Sequence, residues 1–333
     1  MPRGRQLTAT VYVEPRAIGN VMQEFFRHNQ SKGLATETQK SYRAYIGALA
    51  NWYGSDNFVS NITPIILEEY ICKCQDDGIK MVSIATYLRH IRVFIKFCVS
   101  RVYMTTIEVM IPKYETEVKE PYTEEEMKLL LKRPNTDNWA EYRNWVMVNY
   151  FFATGQRLST VINIKVCDLD LRNSRVKLTW NKDRQQKYMP LSSAITTILQ
   201  EYIFVSLLHP DDYLFPEYEG KKFKRRGVED AIARYNHSRG VSKTSIHLFR
   251  HTFAKEYIQN GGNAVKLQQL MNHKSLEQTM KYVNLYRIDY SKDLDMYNPL
   301  DNFNKRNYTP MKRTKILGGM NYEKENTRNV LGF

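Results

Sequence analysis

Apolar residues recur every three to four positions through the first hundred residues, the spacing of amphipathic helices. Ile18, Val21, Met22 and Phe25 make a first stripe, with Pro15 placed to occupy a helix's first turn. Tyr42, Tyr45, Ile46, Leu49 and Trp52 make a second. Thr36 and Gln39 have capping-box spacing ahead of it, and Gly54 ends it. Thr63-Pro64 opens a third helix bearing Leu67, Tyr70, Ile71 and Cys74, closed by Gly78. A fourth runs from about Ser83 with Ile84, Tyr87, Leu88, Ile91, Phe94, Ile95 and Cys98 inward. Four such helices with short connections predict an all-helical domain over residues 15–106, behind a basic arm at 1–14.

The period lapses over residues 107–122, where mixed charges and two prolines predict a linker. A second domain is expected at 123–290 and a tail at 291–333. Thr123 with Glu126 is a capping box for a helix bearing Met127, Leu130 and Leu131. Another carries Trp145, Val148, Phe151 and Phe152 and stops at Thr154-Gly155, directly before Arg157. Over 168–190 the period changes to two: Leu169, Leu171, Val176, Leu178 and Trp180 alternate as in strands, with Lys182 at a second turn. Ser192 or Ser193 then starts a helix through Ile195, Ile198, Leu199 and Ile203. The fold class is therefore mainly α with a small antiparallel β-sheet, in two domains, the second α+β.

The segment from His247 to Tyr282 has the densest chemistry. His247 and Arg250 share a face of a helix that ends at Gly261-Gly262. Asn263 starts a short helix with Val265, Leu267, Leu270 and Met271, and His273 follows in the next turn. Ser275 and Gln278 have capping-box spacing for a helix carrying Tyr282.

Composition narrows the partner. A net charge of +14 points to a polyanion, nucleic acid before an anionic membrane. No apolar run approaches a membrane span, and the N-terminus lacks a signal-peptide core. Cys72, Cys74, Cys98 and Cys167 form no zinc pattern, and free thiols fit a reducing cytoplasm. Two basic sets read as solvated faces or DNA-facing surfaces: Lys80, Arg89, Arg92 and Lys96, and the run Lys221, Lys222, Lys224, Arg225 and Arg226.

If Arg157, Lys182, His247, Arg250, His273 and Tyr282 converge, they suit phosphoryl transfer without a metal or other cofactor. Two guanidiniums can hold both non-bridging oxygens of a phosphodiester through a pentacoordinate transition state. A phenol can attack once its proton is removed, and a lysine can protonate the departing 5′ oxygen.

The order and spacing of these residues resemble the tyrosine recombinases of the phage integrase and Xer family. Thr154-Gly155-Gln156-Arg157 matches the family's first box, Lys182 its hairpin lysine, His247 to Ala254 its second box, and Leu270 to Tyr282 its third. The resemblance implies that Arg157 and Arg250 clamp the scissile phosphate and Lys182 protonates the leaving hydroxyl. It likewise implies that His247 assists proton transfer at the tyrosine, His273 hydrogen-bonds the phosphate, and Tyr282 attacks to form a 3′-phosphotyrosyl link. One departure is Thr160, where an acidic residue is common. The helical N-terminal half would be a SAM-like core-binding domain, closing with the catalytic domain as a C-shaped clamp around duplex DNA.

Further implications are specific recombination sites in that DNA and a homo-tetramer exchanging strands through a Holliday junction. An excision or accessory factor, a prokaryotic cytoplasmic location on the nucleoid, and no separate arm-binding domain are also expected. The tail would dock on its own or a neighbouring protomer through Leu294, Met296, Tyr297, Leu300 and Phe303. Competing readings are a non-catalytic DNA-binding protein of the same fold, a type IB-like DNA-relaxing enzyme, and a metal nuclease using the histidines.

Overall fold

The structure, a computed structural model, describes residues 14–115, 120–178 and 187–286. The chain divides into two compact units, Met1–Val118 and Lys119–Phe333. Among the described residues no helix is long and apolar enough to cross a membrane.

The first unit is built from α1 (Ile18–Ser31), α2 (Thr36–Tyr53), α3 (Pro64–Asp76) and α4 (Met81–Ser100). Its core joins Ile18, Val21 and Phe25 of α1 to Ile46 and Leu49 of α2, Leu67 and Tyr70 of α3, and Ile84, Leu88, Ile91 and Phe94 of α4. Cys74 and Cys98 are buried free thiols in that core, whereas Cys72 is exposed. Thr63 caps α3 as expected, its hydroxyl accepting from the Ile66 N–H with Pro64 in the first turn.

Two expected helix starts need correction. Pro15 lies outside α1, whose N-cap is Ala17. The segment before α1 is held extended by an isolated bridge from Ala17 to Phe58, and the Ile18 and Gly19 N–H groups donate to the carbonyls of Asn57 (2.8 Å) and Ser55 (2.9 Å). Those loop carbonyls satisfy donors that the first turn leaves open, so the helix begins where the loop meets it. Thr36 is already helical and Ala35 is the N-cap, with no side-chain capping bond. The Gln39 amide instead donates to the Leu34 carbonyl at 2.8 Å, which removes the reciprocal half of the box.

The stretch expected to be a linker is packed where it begins. Val109 is buried, and Ile107 and Ile111 rest on the same core. Arg92 donates to the Val109 carbonyl at 2.6 Å and Arg89 to the Tyr114 hydroxyl at 2.9 Å. Arg89 and Arg92 of the first basic set therefore hold this strap, while Lys80 and Lys96 are exposed.

The second unit is organised around α6 (Trp139–Thr154), which packs against α8 (Ser193–Val205), α9 (Arg225–Ser238) and α10 (Ile246–Gln259). α5 (Glu124–Leu131) precedes it and opens with the full Thr123–Glu126 capping box. α7 (Leu158–Val161) follows it. A three-stranded antiparallel sheet, β1 (Leu169–Asp170), β2 (Arg175–Leu178) and β3 (Lys187–Pro190), lies in sequence order with Val176 opposite both Leu169 and Met189. Val176, Leu178 and Met189 turn into the main core, as the period-two pattern requires. Lys182 and Trp180 lie outside the described residues, as do the tail's Leu294, Met296, Tyr297, Leu300 and Phe303.

Helix α9 has no counterpart among the expected elements. Its apolar stripe is short (Val228, Ala231, Ile232 and Tyr235), and its first turn holds Arg225 and Arg226. Cations at a helix N-terminus oppose the backbone dipole, so this start carries no sequence signature. Burial of that stripe against α6 supplies what the local sequence lacks. The end of the basic run is thus a helix start, not a loop.

α11 (Ala264–Met271) and α12 (Leu276–Tyr286) pack on each other and on α10, around Ala254, Ile258, Leu267, Met271, Tyr282 and Val283. Asn263 caps α11, accepting from the Val265 and Lys266 N–H groups.

Candidate active site

The site is assembled where α6 ends against α10. Gly155 terminates α6 in the left-handed conformation (φ 58°), and a Cβ there would lie 2.4 Å from the Phe253 ring. Only glycine meets both conditions, and the turn it makes delivers Arg157 to the head of α7.

Arg250 is 3% exposed on α10. Its guanidinium donates to the Gly155 carbonyl through Nη1 and to the Met271 carbonyl through Nη2, both at 2.6 Å. Arg157 donates to the Asn272 carbonyl at 3.1 Å. Both arginines are thereby anchored on the C-terminal end of α11. Its last carbonyls have no partner within the helix and carry the negative end of its dipole, so they favour cations. Asn272 itself adopts the left-handed conformation (φ 49°), which asparagine tolerates. Its side-chain oxygen accepts from Lys187 of β3 at 2.9 Å. One turn therefore ties together both guanidiniums and the base of the hairpin.

Burial, then the neighbouring Arg157, lowers the Arg250 pKa to about 10, and it remains a cation at neutral pH. With both arginines held by backbone carbonyls, Thr160 stands on α7 where a family carboxylate is common. A cleft of about 690 Å³ opens over Arg157, His247 and Arg250, with Ser159, Thr244 and Arg225 also on its wall. Arg225 is paired with Glu229 at 3.0 Å. Lys221 is paired with Glu219 at 2.5 Å, Lys222 reaches Asn163, and Lys224 and Arg226 are exposed. The basic run thus places one residue, Arg225, on the wall of the cleft.

Tyr282 of α12 is 9% exposed. Burial raises its pKa above the usual phenol value, and Arg250 and Arg157 oppose that rise. The DNA-free phenol is therefore protonated at neutral pH. His273 lies parallel to the Tyr282 ring, 6.2 Å between centroids, and its Nδ1 shares a 2.8 Å hydrogen bond with the Thr279 hydroxyl. His247 is exposed on α10, its ring 4.8 Å from that of His251 one turn on. His251 in turn lies 5.4 Å from the Tyr282 ring.

Five of the six expected catalytic residues thus come from the N-cap of α7, from α10 and α12, and from the turn after α11; Lys182 lies outside the described residues. Sequence reasoning gave no role to His251 or Asn272. The four-residue spacing from His247 to His251 was the available signal for the first. Nothing local marks the second. Among the described residues, no three His, Cys, Asp or Glu side chains are grouped to hold a metal ion.

Desolvation, then Arg250, Arg157, His247 and His251, lowers the His273 pKa from 6.5 to about 4. Between those values an unfolded chain binds a proton that the folded one refuses. Its contribution to stability is therefore complete above pH 6.5 and declines as pH falls towards 4. Urea unfolding at pH 7 and at about pH 5 is expected to show a larger acid loss for wild type than for His273→Gln. Equal losses would mean that His273 carries no such load.

The chain resembles known proteins in sequence and in fold. The family model described as "Phage integrase family" matches residues 121–287. Tyrosine recombinase XerD of Staphylococcus epidermidis is 26% identical over 297 residues, covering 85% of this chain and 99% of that protein. The Tn1549 transposon integrase in complex with a circular intermediate DNA shares the fold at a TM-score of 0.67 and 16% identity, over 84% of this chain and 98% of that one. A lambda integrase tetramer bound to a Holliday junction does so at 0.66 and 16%, over 84% and 81%. With half of its length matched by the family model, the chain belongs to the phage integrase family and is a tyrosine recombinase.

Proposed function

We propose that this site cuts and rejoins DNA strands through a 3′-phosphotyrosyl link at Tyr282. The observation that carries the reading is the anchoring of Arg157 and Arg250 on the end of the short helix that packs against the nucleophile's helix. Two fixed cations beside one phenol are arranged for charge that develops on a phosphate, and they need not reorganise when it does. His273, neutral at physiological pH, can accept from Thr279 at Nδ1 and donate from Nε2 to a non-bridging oxygen. His247 borders the cleft and would assist proton transfer at Tyr282. Lys182, on the β2–β3 connection, would protonate the departing 5′ oxygen. The link conserves the energy of the broken bond, so religation requires no nucleotide.

The partner is duplex DNA bearing specific sites, in keeping with a net charge of +14 and with the DNA-bound integrases that share the fold. Recombination through a Holliday junction by a homo-tetramer, with an accessory factor setting direction, completes the reading. The lambda integrase tetramer of the same fold supports that assembly. The domain reading is a core-binding unit ahead of a catalytic one.

The test is a duplex nicked beside the crossover, from which the cleaved fragment diffuses away. Wild type is expected to accumulate protein joined to the DNA 3′ end, undiminished by EDTA. Absence of adduct on a bound site would end the proposal. Cleavage abolished by chelation would point instead to a metal nuclease.

A further inference from the structure

Asn272 takes a left-handed backbone (φ 49°) that glycine would adopt without strain, so its turn requires no side chain. The side chain is nevertheless engaged. Its Oδ1 accepts from Lys187 Nζ at 2.9 Å, while the main-chain oxygen of the same residue accepts from Arg157 at 3.1 Å. The neighbouring Met271 carbonyl holds Arg250 at 2.6 Å. Both arginines are thus anchored on this turn without help from Lys187, and what the Lys187 bond adds is a link from the turn to the sheet. β2 ends at Leu178 and β3 begins at Lys187, its partner across the ladder, and Lys182 falls between them in sequence. Leu178 is buried in the main core on one side of that pair. Lys187 is exposed on the other and is held by Asn272.

Resting on the proposed strand-transfer reaction, we propose that Lys187 and Asn272 are positioning residues whose hydrogen bond sets the β2–β3 hairpin, and with it the general acid Lys182, against the arginine clamp. In cleavage the Tyr282 oxygen bonds to phosphorus as the bond to the 5′ oxygen breaks, and that oxygen takes its proton from the Lys182 ammonium. The transfer needs the ammonium within hydrogen-bond reach of an atom whose place is fixed by Arg157 and Arg250. Acid and clamp come from different parts of the chain, so whatever joins hairpin to clamp sets the distance between them. Asn272 joins them through its two oxygens, one serving Arg157 and the other Lys187. A single exposed hydrogen bond contributes little to stability. A displacement of about 1 Å at a reacting group, by contrast, can cost up to about 10²-fold in rate. Lys187 and Asn272 therefore act through Lys182, on rate more than on folding.

Single-turnover adduct formation on the nicked substrate, with oxygen or sulfur at the bridging 5′ position, separates this role from a structural one. A sulfur leaving group departs without protonation, so it relieves only defects in the general acid. Lys187→Met and Asn272→Gly, with melting temperature and DNA affinity unchanged, are each expected to react about 10-fold more slowly with oxygen and within about 2-fold of wild type with sulfur. Combined, they should be no slower than either alone, and neither should add to the defect of Lys182→Ala. Lys187→Arg is expected to keep most of the rate, since a guanidinium N–H can donate to the same oxygen. Oxygen rates within about 2-fold of wild type, a defect that sulfur leaves in place, or losses that multiply in the double variant would each overturn the assignment. If Asn272→Gly does not fold, Lys187→Met, altered at an exposed position, decides by the same criteria. A wild type that forms no adduct would instead bring down the strand-transfer reading itself.

Discussion

Tyr282→Phe is expected to bind its DNA site with wild-type affinity and to form no covalent adduct with it. The substitution deletes one oxygen, the atom proposed to bond to phosphorus, and keeps the ring that packs with Leu267, Met271 and Val283. Losing a nucleophile outright removes the pathway, so the rate of adduct formation should fall by at least about 10⁴-fold. Stability should change by less than about 1 kcal/mol, because the ring's burial is retained. Band-shift affinity and thermal melting establish that the variant is intact, and denaturing electrophoresis reads the adduct. A covalent product surviving in this variant would assign the nucleophile to another residue. Unchanged recombination in cells would favour a DNA-binding role without catalysis.

Arg250→Ala should fail in two ways at once. Its guanidinium joins the end of α6 to the end of α11 through the Gly155 and Met271 carbonyls, and both bonds are buried. Removing it takes the guanidinium donor away from two buried carbonyls. The expected cost is about 2–4 kcal/mol, offset in part because the buried cation no longer has to be desolvated. Strand cleavage should fall by a further factor of about 10²–10³, the usual consequence of losing a donor to a developing oxyanion. Arg250→Lys is expected to recover little of either property, since one ammonium lacks the fork that spans both carbonyls. Urea unfolding measures the first loss, and single-turnover cleavage at a temperature where the variant remains folded measures the second. A variant of wild-type stability that cleaves at the wild-type rate would remove Arg250 from the site.

Sequence patterns were a good guide where one short segment decides its own structure. Thr63-Pro64, Thr123 with Glu126, and Asn263 each start a helix as expected, because the capping oxygen and the N–H groups it serves lie within three residues. Gly155 ends α6 for an equally local reason, its positive φ. The expectations that failed were those in which a distant segment intervened. Pro15 could have started α1, but carbonyls of the loop after α2 set that helix's first turn. Gln39 could have completed a box with Thr36, but its amide donates to the Leu34 carbonyl instead. Helix α9 begins on two arginines and exists because its narrow apolar stripe is buried.

The sequence by itself determined the chemistry available: two arginines, a phenol, histidines and a basic surface, in an order that identifies the family. Tertiary structure decided how these groups serve one another. Arg157 meets a carbonyl 115 positions away, and Arg250 meets one 95 positions before it and another 21 after it. No periodicity encodes such pairings, because they arise only when α6, α10 and α11 have packed and the unpaired carbonyls at a helix end need cations. The approach of His251 to Tyr282 has the same origin, since residues on separate helices become neighbours only through the core beneath them.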